Sequence, residues 1–164
     1  MKRQGRDMSD PHDLERMRQI WRNVPIPVVL RKGEGHPLQV KLPGDSADLM
    51  WRMSAQHWLR AGRHTIPKWQ HRYSCWNLPQ AWLNPLVQQL LAAFKRLYLI
   101  QPYREQEKCA PSCFNARGHD CQCQCMGANH GRGGPNAGWF VVSDTFATKW
   151  GEEHLACRLM ELSS

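Results

Sequence analysis

Five of the seven cysteines lie between residues 109 and 125, with His130 close behind them, and this cluster constrains the fold more than any other feature. From Arg104 to Gly138 the sequence shows little apolar periodicity and many glycines, so this stretch cannot bury enough apolar surface to fold alone. A bound metal ion would supply the missing stabilisation, as it does in small metal-dependent modules. The sequence therefore predicts a metal-stapled loop module.

Tetrahedral zinc is the metal that this ligand set suits best, because Zn²⁺ takes four thiolate or imidazole ligands. The candidate ligands are Cys109, Cys113, Cys121, Cys123, Cys125 and His130. The first two have the spacing of a ligand pair, and in an extended chain the thiols of the other three cysteines face one side. We expect one zinc bound by the first pair and two of those three, with the histidine as a substitute ligand or part of a second site.

Other uses of the cluster are an iron–sulfur cluster on four cysteines, a two-metal cluster, or disulfides. The spacing matches neither ferredoxin pattern. Disulfides need an oxidising compartment, whereas the chain begins Met-Lys-Arg-Gln-Gly-Arg and shows no apolar stretch typical of a signal peptide. With no apolar run of about 18 residues either, we expect a soluble, cytoplasmic protein with no membrane partner. Cys75 and Cys157 lie outside the cluster and are expected to be buried as small hydrophobic residues.

The formal net charge of +8 comes from one segment of the chain. Between Asp48 and Glu105 there is no acidic residue, but there are eight basic residues and five of the eight tryptophans. Basic charge interleaved with aromatic rings is typical of surfaces that neutralise phosphates and stack bases. An acidic protein partner, or a solvated basic face with the tryptophans in the core behind it, would produce the same composition.

The segment therefore predicts a nucleic-acid-binding surface, for DNA more than for RNA. The expected phosphate contacts are Arg52, Arg60, Arg63, Lys68, Arg72, Lys95, Arg96 and Arg104. The expected base-stacking rings are Trp69, Tyr73 and Trp76, as far as each of them is exposed.

Hydrophobic periodicity and turn signals predict an α+β fold with small antiparallel sheet elements, two or three helices and the zinc-stapled loop module. The predicted helices cover 11–21, 47–61 with Ser46 as the N-cap, and about 84–97 beginning at Asn84-Pro85. The predicted hairpins pair 28–30 with 38–42 and 65–69 with 74–78, and further strands cover 98–100, 139–143 and 146–150. The type of the last element, 154–162, stays open. We divide the chain into an N-terminal arm and helix (1–24), a basic Trp-rich α+β domain (25–103) and a Cys-rich module with C-terminal strands (104–164).

Two resemblances bear on function. The segments 101–109, 125–131, 150–151 and 155–159 resemble a family of uncharacterised Cys-rich proteins of bacterial plasmids and phages, over the C-terminal half of the chain. This resemblance implies a mobile-element origin, with roles in DNA handling or in countering host defence. Residues 64–97 are similar to the hairpin-then-helix unit of HARP-type domains in DNA-annealing helicases, which implies DNA binding.

These observations favour a non-enzymatic, zinc-containing nucleic-acid-binding protein of a phage or plasmid. The first alternative is an anti-defence inhibitor, similar in role to anti-CRISPR proteins, that binds an acidic host protein or a nucleoprotein complex. The second is a metal-dependent nuclease, for which the candidate polar groups are His119, Asp120, Asn129 and His130. Because these groups lie in or beside a glycine-rich loop, a structural role is favoured for them over catalysis.

Overall fold

The computed structural model describes residues 11–22, 25–33, 35–44, 47–103 and 140–163. The helices in these ranges are α1 (Pro11–Arg22), α2 (Leu49–Arg60) and α3 (Leu83–Phe94). The strands are β1 (Val28–Arg31), β2 (Leu38–Lys41), β3 (Lys68–Gln70), β4 (Cys75–Leu78), β5 (Arg96–Pro102), β6 (Phe140–Trp150) and β7 (Glu153–Leu162). None of the three helices in these ranges is long and apolar enough to cross a lipid bilayer.

All seven described strands belong to one sheet in the order β3-β4-β2-β1-β5-β7-β6. The β1–β5 pair is parallel and the other described pairs are antiparallel. The predicted α+β class is confirmed, but the separate small antiparallel elements are corrected to a single mixed sheet. Because β7 pairs with β5, the last two strands extend the sheet formed by the earlier ones. The zinc-stapled loop lies outside the described residues.

Both predicted hairpins are present, as β1–β2 and β3–β4. In the first, Val29 lies opposite Val40, and both side chains are fully buried. In the second, Trp69 lies opposite Trp76. Alternate residues of a strand point to opposite faces, so these two pairs share one face of the sheet, while Val28, Leu30 and Cys75 are buried on the other.

The ends of α2 and α3 differ from the sequence-based prediction. The N-cap of α2 is Asp48, whose carboxylate accepts a hydrogen bond from the Met50 amide at 3.0 Å, so Ser46 is not the cap. Asn84 is not a cap either, because a 3₁₀ turn at Gln80–Trp82 leads directly into α3 and places Asn84 inside the helix. Helix α3 ends at Phe94 because Lys95 adopts a left-handed conformation with φ 73°. Leu97, predicted to extend the helix, lies on β5.

The two strands predicted for 139–143 and 146–150 form a single strand, β6. A register shift between Val142 and Asp144 lets both halves pair with β7, because such an irregularity absorbs one extra residue without ending the ladder. The last element, whose type the sequence left open, is the strand β7.

Helices cover the sheet on both faces. On one face, α2 and α3 bury apolar side chains that include Leu59 and Leu90 against strand residues such as Val40 and Leu99. On the other face, α1 packs Met17 and Trp21 against a second cluster of buried residues. Each helix buries an apolar stripe against the central sheet, and this burial stabilises the packed layers of helix and sheet.

The two cysteines outside the cluster belong to the second buried layer, as predicted. Cys75 is 0% exposed and Cys157 is 1% exposed. Burial raises the pKa of Cys75 to about 11, against the opposing influence of Lys41 and Lys32, and burial also raises the pKa of Cys157. Both thiols therefore stay protonated at neutral pH, which makes them apolar core groups and poor metal ligands.

Candidate nucleic-acid interface

Helix α2 runs beside the segment that leads into β3. Arg52, Gln56 and Arg60 are four residues apart and so form one stripe on the helix. The Arg52 guanidinium lies 5.5 Å from the centre of the Trp69 ring, and Gln56 Nε2 donates to the Pro67 carbonyl at 2.9 Å. The segment that leads into β3 therefore runs antiparallel to α2, and Arg52 reaches the Trp69 ring of β3.

Two arginines close the C-terminal end of α2. Arg60 donates to the carbonyls of Arg63 at 2.6 Å and His64 at 3.3 Å. Arg63 donates to the Leu59 carbonyl at 2.9 Å, and its guanidinium lies 4.5 Å from the centre of the Trp82 ring. The last carbonyls of a helix lack partners within the helix, so Arg63 stabilises the end of α2, while Arg60 binds the chain that follows it. Carbonyl acceptors hold the guanidinium groups in place without neutralising their charge.

Lys68 and Arg72 continue the positive charge beyond the helix. Lys68 is exposed on β3, which is an edge strand of the described sheet. Arg72 is exposed in the turn between β3 and β4, with its guanidinium 5.3 Å from the centre of the Tyr73 ring. Two exposed histidines, His64 and His71, lie in the same part of the chain.

By alternation along β3, Lys68 points to the opposite face of the sheet from Trp69, so the cations span the edge strand and do not share a single face. Five of the eight expected phosphate contacts lie on α2, on β3 or in the segments that follow them, and we call this set the α2–β3 surface. They are Arg52, Arg60, Arg63, Lys68 and Arg72.

Lys95 and Arg96 lie elsewhere, at the junction of α3 and β5. Strand β5 is four positions from β3 in the sheet, which corresponds to about 19 Å at the usual strand spacing. Arg96 also forms an ion pair with Glu161 at 3.0 Å. These two residues therefore lie in a different part of the described sheet from β3, and Arg104 lies outside the described residues.

The three expected stacking rings differ in exposure. Trp76 is 2% exposed and belongs to the core, so it is not available to a base. Trp69 is half-buried, with its ring centre 5.1 Å from that of Trp76 and 6.2 Å from that of His71. Tyr73 is 43% exposed. Tyr73 is therefore the most accessible of the three, and Trp69 presents only part of its ring.

An exposed apolar patch on α2 escaped the sequence-based prediction. Leu49, Met50 and Met53 are 60%, 68% and 57% exposed. They occupy the side of the helix away from Ala55 and Leu59, which are buried against the sheet. The helical spacing of the two buried residues could have revealed this patch, because a residue two positions from a buried one lies near the opposite side.

Metal ligation can be judged only within the described ranges, where no group of three or more His, Cys, Asp or Glu side chains could hold a metal ion. The six predicted ligands, Cys109, Cys113, Cys121, Cys123, Cys125 and His130, all lie outside those ranges. His119, Asp120 and Asn129 lie outside them as well. Zinc binding and the nuclease alternative accordingly stay predictions from the sequence.

The α2–β3 surface has the chemistry of an anion-binding surface. Guanidinium groups donate several hydrogen bonds in a fixed plane, and an ammonium group acts as a compact positive charge. No carboxylate lies between Leu49 and Arg104 in the sequence to compete for them. No protein-family model, curated protein or solved structure matches this chain, so its function has to be inferred from these residues.

Proposed function

We propose that the protein binds nucleic acid, and DNA in particular, through phosphate contacts to the α2–β3 surface. The observation that carries this proposal is the antiparallel course of α2 and the 64–69 segment, supported by the Gln56–Pro67 hydrogen bond. It aligns cations from two elements along one edge of the sheet, in a stretch of sequence that has no carboxylate after Asp48. A row of positive charges that its own segment does not neutralise suits a polyanion.

The cationic groups would contact phosphates in two different ways. Arg60 and Arg63 are fixed by backbone carbonyls and so would offer their remaining donors in a set orientation. Lys68 and Arg72 are exposed and would adjust to the phosphate spacing of the ligand. Contacts to phosphates give affinity without sequence preference, so we expect little discrimination among DNA sequences.

The test is the salt dependence of DNA binding, measured by fluorescence anisotropy with a labelled duplex. Each phosphate contact contributes about 0.9 to the slope of log K against log salt for a duplex, and about 0.7 for a single strand. Lys68→Gln should lower the slope by about that amount. Lys149→Gln is the matched control, because Lys149 is an exposed lysine on β6, at the other edge of the described sheet. Binding that does not depend on salt, or equal effects of both substitutions, would refute the proposal.

The zinc module is part of the same proposal and rests on the sequence alone. Five cysteines and a histidine within 22 residues suit one tetrahedral Zn²⁺. Elemental analysis of protein purified without a metal-affinity step should give one zinc per chain. Two zincs per chain would indicate a two-metal cluster, and iron with acid-labile sulfide would indicate an iron–sulfur cluster and overturn the assignment.

A second candidate function is favoured by the exposed patch on α2. Phosphate groups gain nothing from contact with the apolar side chains of Leu49, Met50 and Met53. Exposed methionine beside arginine is, in contrast, typical of protein interfaces. An acidic host protein would pair its carboxylates with Arg52 and cover these apolar side chains, as the anti-defence alternative requires. A pull-down from nuclease-treated host lysate should then recover an acidic protein with the unmodified chain and lose it with Met53→Asp. DNA affinity should be little affected by Met53→Asp if the two functions use different groups.

A further inference from the structure

A cleft of about 380 Å³ opens on the face of the sheet that α1 covers. This volume lies within the roughly 300–1,000 Å³ typical of small-molecule sites. Three aromatic rings line it, from Trp21 on α1, Tyr73 in the β3–β4 turn and Trp150 at the end of β6. Its buried lining includes Leu30 and Leu155, which are 3% and 2% exposed. The cleft thus combines an apolar floor with flat rings from three separate elements.

The charged residues of the cleft lie on opposite sides. Lys32 follows β1, while Glu152 lies in the β6–β7 turn and Glu153 is the first residue of β7. In the sheet, β5 and β7 stand between β1 and β6, so the two charged sides are separated by roughly 10–14 Å. A ligand that lies between Lys32 and the β6–β7 turn would meet an ammonium group on one side and carboxylates on the other.

Two of the rings already have a cation beside them. The Lys41 ammonium lies 4.5 Å from the centre of the Trp21 ring, and the Arg72 guanidinium lies 5.3 Å from the centre of the Tyr73 ring. A positive charge against a ring satisfies the attraction between a cation and the π face, and it repels a second cation. The rings are therefore better suited to a flat neutral group with a nearby negative charge than to a cationic ligand.

Gln39 adds a fixed polar group to the wall of the cleft. Its Nε2 donates to Gln70 Oε1 at 3.1 Å, and the Cys75 thiol donates to the same oxygen at 3.4 Å. An amide held this way loses little freedom when a ligand binds, which favours recognition of a polar edge.

We propose that this cleft binds a single nucleotide unit, with the base against the Trp150 ring and the phosphate on the side of Lys32. The carboxylates of Glu152 and Glu153 would accept hydrogen bonds from N–H groups on the edge of the base, because an ionised carboxylate only accepts. Guanine presents two adjacent N–H donors on one edge, so it should be preferred to uracil. This inference stands on the lining of the cleft and does not require the α2–β3 surface to bind DNA.

The nucleotide unit could be a free mononucleotide or an unpaired base of a strand. Tyr73 adjoins Arg72 of the α2–β3 surface, so a strand bound there has a short route to the cleft. A short single-stranded oligonucleotide separates the two sources. If strand bases enter the cleft, Trp150→Leu weakens binding of the oligonucleotide and of the mononucleotide; if only free nucleotides enter, it weakens the mononucleotide alone.

The decisive experiment is isothermal titration of the full chain with guanosine monophosphate, guanosine, uridine monophosphate and choline. We expect guanosine monophosphate to bind most tightly. Lys32→Gln should weaken its binding about tenfold and leave guanosine unchanged, because only the phosphate contact is lost. Lys149→Gln, which removes a lysine outside the cleft, should leave all affinities unchanged. Glu153→Gln should reduce the preference for guanine over uracil.

Three outcomes would overturn the proposal. The first is that no nucleotide binds. The second is that Lys32→Gln and Glu153→Gln both leave nucleotide binding unchanged. The third is choline binding more tightly than the nucleotides, which would assign the cleft to a cation. If Trp150→Leu fails to fold, Trp150→Phe and the two polar variants still test the site. DNA affinity of Lys68→Gln is measured in parallel, so failure of the cleft and failure of the α2–β3 surface give different patterns.

Discussion

The backbone of Gly44 packs directly against the indole ring of Trp51. A Cβ atom at position 44 would overlap Nε1 of that ring and come within 2.6 Å of its Cε2 atom. Gly44 also has φ +134°, a conformation that residues with a side chain rarely adopt. The contact holds Gly44, three residues after β2, against the third residue of α2.

Gly44→Ala should therefore destabilise the fold by roughly 3 kcal/mol, because strain and overpacking add. Gly35→Ala is the matched control: Gly35 has φ +85°, but a Cβ there would meet nothing within 4 Å. The control should cost only about 1–2 kcal/mol. Urea unfolding monitored by circular dichroism measures both, and equal losses would contradict the role of the Trp51 contact.

Asp48 should stabilise α2 mainly through the hydrogen bond that its side chain accepts, and less through its negative charge. Asp48→Ala removes the acceptor of the Met50 amide and should lower the free energy of unfolding by about 1 kcal/mol. Asp48→Asn keeps an acceptor and should cost much less. Both substitutions remove a carboxylate next to the α2–β3 surface, so both should raise DNA affinity if that surface binds DNA. Thermal unfolding and anisotropy on the same samples separate the two effects.

Arg63 and Arg72 should respond differently to truncation, although both are expected phosphate contacts. Arg63→Ala loses the hydrogen bond to the Leu59 carbonyl and the contact with Trp82, so we expect a loss of roughly 1–2 kcal/mol in stability. Arg72→Ala removes an exposed side chain in a turn and should stay within about 0.5 kcal/mol. Urea unfolding checks this difference. Equal stability of the two variants would show that Arg63 does not hold the helix end.

Alkaline pH should destabilise the protein through its buried thiols. Burial raises the pKa of Cys75 to about 11, so between about pH 9 and 11 the unfolded chain releases a proton that the folded chain retains. The folded state then binds more protons, and its stability falls by up to about 1.4 kcal/mol per pH unit for this group. Burial raises the pKa of Cys157 as well, with the same sign, whereas burial of Lys41 lowers the pKa of that lysine and acts in the opposite direction.

The measurement is urea unfolding from pH 7.5 to 10.5. Cys75→Ala should make the decline with pH shallower, because one of the titrating thiols is gone. A decline that is equally steep in the variant would show that Cys75 does not cause it. Thiol-specific labelling offers a second check: both buried thiols should react at pH 8 only after unfolding.

The order of the elements was predictable, but their precise ends and their assembly were not. The periodic burial of Met17 and Trp21, and of Leu86 and Leu90, was enough to place α1 and α3. The cap of α2 was misassigned because both Ser46 and Asp48 are good N-cap residues, and only the backbone geometry decides between them. The parallel pairing of β1 with β5 joins residues 70 apart, Val28 and Tyr98, and local patterns contain no information about such a pairing.

The candidate site was predictable in composition and not in geometry. The acid-free segment grouped Arg52 with Lys68, and the structure places them on α2 and on β3, two elements that contact each other. It also included Lys95 and Trp76, which the sheet order and the core place elsewhere. The cleft was missed because Trp21 and Trp150 are separated by most of the chain and only the sheet brings them together.

The position of β7 between β5 and β6 imposes an order on assembly. Strand β6 is synthesised first, yet among the described strands its partner is β7, which follows it in the chain. Until β7 emerges from the ribosome, β5 keeps an open edge and the 11 residues of β6 have no place in the sheet. Unpaired strands of this kind are the segments by which nascent chains join one another. We therefore expect the chain to aggregate most readily in the interval before β7 is made.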